Sequence, residues 1–96
     1  MMGGWVYIVT NRPWGTLYAG VTNDIARRAW EHRSGTGSAF TSRYMLTRLV
    51  YMERHDDIVT AIQREKSLKR WPRRWKLDLV ETTNPGWEDL FERVNM

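Results

Sequence analysis

Glu65 sits where an acid is least comfortable. It falls three residues after Ile62, four after Ala61 and three before Leu68, so on a helix it shares the apolar stripe and not the basic flank. A carboxylate turned inward is costly unless it is paired or bound to a cation. Lys69, four residues on, offers an ion pair in the favoured Glu-to-Lys order, worth about 0.2–0.5 kcal/mol. A hard cation such as Mg2+ or Mn2+, which keeps several waters and takes only one or two protein carboxylates, would also account for the face on which the acid lies.

Arg28 repeats the pattern. Ile25, Arg28, Ala29 and His32 follow the i, i+3, i+4, i+7 spacing of one helix face, whereas Arg27 and Glu31 share another and are spaced to pair with each other. An inward guanidinium beside an imidazole suits a non-bridging phosphate oxygen and the charge that develops on it. The plainer reading has Arg28 snorkelling over a sheet and His32 as an ordinary helix-end histidine. Tyr7 and Tyr18 lie in strand-like segments, where tyrosine is common as a core residue with a bonded hydroxyl. Gly20, near the end of the second such segment, marks a close approach of a partner to the backbone. The six tryptophans could stack on bases, but in a domain of this size they are read as core.

The cationic residues are bunched. Arg64, Lys66, Lys69, Arg70, Arg73, Arg74 and Lys76 stand together against the single acid Glu65, in a chain of formal charge +4. Such a stripe attracts phosphate backbones through counterion release, and it describes a solvated helix face equally well. The 96 residues suit one domain, residues 1–96, with one core. Cys is absent, which excludes disulfides and thiolate zinc sites. No segment approaches the roughly 20 apolar residues of a membrane span. Met1-Met2-Gly3-Gly4 lacks the layout of a signal peptide, so the expected location is the cytoplasm.

The elements that must position these residues can be read in order. Trp5 to Val9 and Thr16 to Val21 are β-branched and aromatic around the turn residues Asn11 to Gly15, a hairpin pattern. Thr22-Asn23-Asp24 supplies cap candidates for a helix from Ile25 to Arg33, stopped by Ser34-Gly35. Residues 36–44 read as a loop with at most one helical turn, and Leu46 to Met52 as a third strand. A helix beginning at Asp56-Asp57 should end at Trp71, before Pro72, which fits the first turn of a further helix reaching Val80. A short amphipathic segment with Trp87, Leu90 and Phe91 closes the chain. The order β-β-α-β-α-α predicts an α+β fold, a small, mainly antiparallel three-stranded sheet flanked by helices.

Taken in order, these residues resemble the GIY-YIG nuclease superfamily, and in particular its small stand-alone bacterial subgroup. Trp5-Val6-Tyr7 and Tyr18-Ala19-Gly20 stand where the family has its two triplets, with both tyrosines and the second glycine kept. Arg28 follows at the spacing of the family's catalytic arginine, His32 where it has His or Tyr, and Glu65 where it has its metal-binding glutamate. Trp5 for Gly and Ala19 for Ile are departures that affect packing more than chemistry. Asn84 is a possible counterpart of an asparagine that some members carry near the C-terminus.

The resemblance implies a metal-dependent endonuclease acting on DNA, structure-directed or nonspecific, because separate DNA-recognition domains are missing. Glu65 would hold Mg2+ or Mn2+, Arg28 would stabilise the transition state, and Tyr7 would activate or orient the attacking water. Tyr18 and His32 would position the phosphate or relay a proton. Gly20 and the stripe of Lys66, Lys69, Arg70, Arg73, Arg74 and Lys76 would contact flanking nucleic acid without reading bases. Two other readings share the fold, an RNA-directed nuclease and a nucleic-acid-binding module with little activity on its own.

Overall fold

The unbroken apolar run from Trp5 to Val9 calls for a strand covered on both faces, and it becomes the middle of the sheet. A computed structural model describes residues 3–94. Along them run β1 (Gly4–Thr10), β2 (Leu17–Thr22), α1 (Ile25–Arg33), α2 (Ala39–Arg43), β3 (Arg48–His55), α3 (Ile58–Arg70), α4 (Arg73–Thr83) and α5 (Phe91–Val94). The strands are ordered β2-β1-β3 and both pairings are antiparallel. This is the expected α+β arrangement, with the short helices α2 and α5 added to it.

Alternation along β1 divides the core in two. Val6 and Ile8 pack with Ala61 and Leu68 of α3 and with Leu77 and Val80 of α4. Tyr7 and Val9 point the other way, to Ile25 and Ala29 of α1 and to Leu90. β1 is therefore covered from both sides, whereas β2 is an edge strand.

β3 starts later and runs further than residues 46–52. Leu46 is buried, but Met45 has φ 57° and the Thr47 N–H returns to the Met45 carbonyl, so a tight turn takes the place of the strand's start. At the far end Glu53, Arg54 and His55 pair with Val6, Trp5 and Gly4. Glu53 is tolerated on the α3 side because Tyr51 Oη, His55 Nε2 and Arg64 Nε approach its carboxylate at 2.5, 2.6 and 3.0 Å. Burial works against its charge, yet those bonds outweigh it and hold the carboxyl below its usual range. Burial and the bond to Glu53 push the Tyr51 hydroxyl up to about 12.

A bulge locks β3 to the C-terminal segment. Ile8 pairs with Tyr51 and Val9 with Leu49, which leaves Val50 as the extra residue and lets both Val50 and Tyr51 join the α3 side of the core. The Val50 carbonyl accepts from Asn84 Nδ2 at 3.0 Å. The same amide bonds the carbonyl and the N–H of Glu88 at 2.9 and 3.0 Å. Asn84 is buried, and its side chain is committed to the scaffold. At the other junction Trp71 is extended before Pro72, as the sequence requires, while Pro72 itself caps α4 from just outside it. Among the described residues no helix is long and apolar enough to cross a membrane.

Replacing Asn84 by Ala strands the Val50 carbonyl and the Glu88 backbone, a loss of about 1–3 kcal/mol. The thermal midpoint of Asn84→Ala should fall by roughly 5–20 °C. A calorimetric midpoint unchanged from the parent would show that this lock contributes nothing.

Candidate active site

Strand register decides which side chains meet. Tyr7 lies opposite Gly20 and Val9 opposite Tyr18, and partners across a pair share a face, so Tyr7, Tyr18 and Gly20 all point to the α1 side. A Cβ at Gly20 would overlap the Tyr7 hydroxyl and ring. The close approach signalled by Gly20 is thus made by Tyr7, which lies across the glycine.

Asp24 caps α1 by accepting the Arg27 N–H at 3.1 Å, and the helix so begun turns Arg28 and His32 to the sheet. His32 Nε2 lies 2.9 Å from the Tyr7 hydroxyl, and Arg28 Nε donates to the same oxygen at 3.2 Å. Arginine can only donate, so the phenol oxygen accepts from it, and the Tyr7–His32 bond runs from whichever of the two, hydroxyl or Nε2, carries the hydrogen. The other imidazole nitrogen packs against Gly37, where a Cβ would overlap it. Burial, then the charge of Arg28, lowers the His32 pKa from 6.5 to about 4, which keeps the ring neutral at neutral pH. Burial also raises the Tyr7 pKa, against the bond and charge of Arg28.

Glu31 completes the arrangement. It accepts from Arg28 Nη1 at 2.8 Å and from Arg27 Nε at 3.3 Å. The pair with Arg27 follows from the sequence spacing; the one with Arg28, at i,i+3, was not anticipated. Burial disfavours the Arg28 charge, but the bonds to Glu31 and Tyr7 outweigh it and raise its pKa, while Arg28 lowers that of Glu31. Arg28 Nη2 makes no hydrogen bond among the described residues. A cleft of about 530 Å3 opens beside this arginine, lined by Thr22, Asn23, Asp24, Glu31 and Ile62.

Glu65 arrives from the opposite face. α3 packs across β1 and the edge strand β2, and its side chains reach round that edge. The Glu65 side chain is 14% exposed, with Lys69 Nζ 3.3 Å from its carboxylate. Lys69 Nζ also stands 5.1 Å from the centroid of the Tyr18 ring, and that ring lies 6.2 Å from His32. The charge of Glu65 adds to the rise in the Tyr7 pKa. Tyr7, Tyr18, Arg28, His32 and Glu65 therefore gather at one edge of the sheet. One detail differs from the sequence reading. Ile62, and not Glu65, is the open member of the stripe, being 37% exposed against 14% for the Glu65 side chain.

No three Asp, Glu, His or Cys side chains gather into a metal cage among the described residues. A cation on Glu65 would take a single protein carboxylate and complete its shell with water and phosphate oxygens, which is the habit of Mg2+. The donor present fits such an ion.

The basic run is not one face, because the break at Trp71-Pro72 divides it between α3 and α4. Arg64 is held by Glu53 and lies over Trp71, and Arg74 pairs with Asp78. Arg73 Nη2 donates to the carbonyls of Trp14 and Gly15 at 2.7 and 2.8 Å, pinning the hairpin turn. Lys69 and Lys76 border a pocket beside Tyr18, while Lys66 and Arg70 are exposed. The ring of Phe40, on the short helix α2, stands 5.9 Å from that of Tyr18. No local pattern marks it, since α2 meets β2 only in three dimensions.

The imidazole of His32 titrates at about 4 in the fold and at about 6.5 when unfolded. The unfolded chain binds the proton first, so the stability contributed by the neutral ring is whole above about pH 6.5 and is lost as the pH falls towards 4. The loss is roughly 3 kcal/mol. Urea unfolding at about pH 7 and about pH 4.5 should show it for the parent and much less of it for His32→Gln. Parallel pH dependence in the two proteins would contradict the buried neutral ring.

Comparison with known proteins shows the family. The model of the GIY-YIG catalytic domain matches residues 3–78, a span that holds all three strands and every residue of the cluster. A UPF0213 protein of Staphylococcus saprophyticus is 36% identical over 76 residues, which cover 79% of this chain and 92% of that one. A UPF0213 protein of Desulfotalea psychrophila is 37% identical over 87 residues, covering 90% and 78%. The solution NMR structure of a UPF0213 protein from Bacillus halodurans aligns with a TM-score of 0.57 and 31% identity, covering 95% of this chain and 96% of that one. Sequence and fold agree, and the chain belongs to the GIY-YIG nuclease family, among relatives of the UPF0213 type.

Proposed function

We propose that the chain is a cytoplasmic, metal-dependent endonuclease that hydrolyses phosphodiester bonds of DNA, directed by the structure of its substrate and not by its sequence. The observation that carries this reading is the Tyr7 hydroxyl shared between His32 Nε2 and Arg28 Nε, at 2.9 and 3.2 Å, with Glu65 linked to the neighbouring Tyr18 through Lys69. A phenol alone is a poor base at neutral pH, with an ordinary pKa of about 10. Here it need not hold a proton. It orients the attacking water, whose proton leaves to solvent, because His32, held at about 4 by burial and by the charge of Arg28, is no sink for it. The water oxygen bonds phosphorus while the bond to the leaving oxygen breaks, and solvent returns a proton to that oxygen.

Arg28 Nη2 is the group aimed at a non-bridging phosphate oxygen, where it stabilises charge that develops in the transition state. Tyr7 is 1% exposed and Arg28 lies against its hydroxyl, so a phosphate that draws the guanidinium outward also opens the hydroxyl to water. A divalent cation on Glu65 would supply polarisation of the phosphate and a more acidic water. The burial of Tyr7 also favours a second reading, a nucleic-acid-binding module that becomes active only when a partner moves Arg28.

With Mg2+ or Mn2+ the purified protein should nick plasmid, flapped or branched DNA. Glu65→Ala and Arg28→Ala should each lower the rate by about 100-fold or more with the circular dichroism spectrum unchanged. Cleavage that survives both changes would remove the site, and an inactive parent over a panel of structured DNA and RNA would leave the binding module. Gly20→Ala should reduce cleavage as well by displacing the Tyr7 hydroxyl, although residue 20 touches no reacting atom.

A further inference from the structure

Beyond the cluster, an aromatic row leads away from it. The Tyr18 ring is followed by Phe40 at 5.9 Å and Phe40 by Tyr44 at 4.8 Å. Phe40 and Tyr44 are 44% and 45% exposed, and neither belongs to the buried clusters on the two faces of the sheet. Core packing therefore does not account for them. A pocket of about 440 Å3 opens at the foot of the row, walled by Leu17, Tyr18, Ala19 and Phe40 and bordered by Lys69 and Lys76. That volume is within the range of small-molecule sites, about 300–1,000 Å3. Lys69 is also the residue that pairs with Glu65, so the pocket and the proposed metal carboxylate are neighbours.

An aromatic wall with two ammonium groups at its border complements one chemistry closely, a flat base attached to an anionic backbone. We propose that this pocket receives an unpaired nucleotide of the substrate, its base against Phe40 and Tyr18 and its phosphates towards Lys69 and Lys76. The proposal rests on the nuclease reading of the adjacent cluster and adds to it the substrate class. A base inside a duplex has both faces stacked and cannot present one to Phe40 without leaving the helix. Single strands, flaps and gaps offer such a base directly, and intact duplex does not. Whether the sugar is ribose or deoxyribose makes no difference to the stacking.

Binding is measured in EDTA by fluorescence anisotropy, with the full chain and labelled oligo-dT, oligo-U and duplex DNA of about 20 nucleotides. The parent should prefer a single strand of either sugar to the duplex. Phe40→Ala should weaken single-strand binding by about 5- to 150-fold, the effect of one stacked base, and leave duplex binding unchanged. Phe40→Trp should retain it, and Lys76→Ala should weaken binding and reduce the salt slope by about one. Thermal melts establish that each variant is folded. Unchanged single-strand affinity in Phe40→Ala, or equal losses on duplex, overturns the proposal. Without metal the readout does not depend on cleavage. A protein that never cuts but shows the Phe40 effect keeps the pocket and loses the nuclease reading, whereas a cutting protein without that effect loses only the pocket.

Discussion

The position of the Tyr7 ring over the bare α-carbon of Gly20 is the constraint on which the rest depends. It requires a hairpin whose register sets those two residues opposite each other, and the same register puts Tyr18 two residues along on the same face. With the ring lying flat, its hydroxyl reaches α1, where only residues one helical turn apart can address it together. Arg28 and His32 have that spacing. A shift of that register by one residue would set Tyr7 opposite Ala19 or Val21, put a Cβ where its ring lies and turn Tyr18 to the other face of the sheet.

Much of this was legible in the sequence, and for identifiable reasons. The hairpin, the helix boundaries at Asp24 and Trp71 and the inward placement of Arg28 all follow from short-range rules: capping, the restriction before proline and helical periodicity. The beginning and end of β3 were not legible. They depend on the turn at Met45 and on the three groups that satisfy Glu53 from β3 itself and from α3. Periodicity gives the inward direction of Glu65, whose side chain is 14% exposed, but not the depth of its neighbours. Ile62 beside it is partly open to solvent. The pairing of Tyr7 with Gly20 and the meeting of Phe40 with Tyr18 are products of tertiary structure, which no local window contains.

The cationic residues between 64 and 76 illustrate how composition misleads when geometry is absent. As a string they read as one stripe. In the fold Arg64 and Arg73 are fasteners, one tying α3 to β3 and the other α4 to the hairpin turn, and they use donors that a phosphate would otherwise claim. Lys69 and Lys76, from different helices, end up beside the same pocket. Positive charge at the site therefore comes from the angle between two helices and not from the face of one.

Glu31 has a consequence for the company the resting protein keeps. Its carboxylate already occupies Nη1 of Arg28 and also holds Arg27, so the guanidinium meets a small free anion with part of its charge answered. Chloride or inorganic phosphate, with a single point of contact, must compete with a tethered rival of very high local concentration. A polymer that engages Lys69 or Lys76 at the same time arrives with its next phosphate equally tethered. On the nuclease reading, the intramolecular pair would act as a filter for multivalency, favouring a strand over a lone ion.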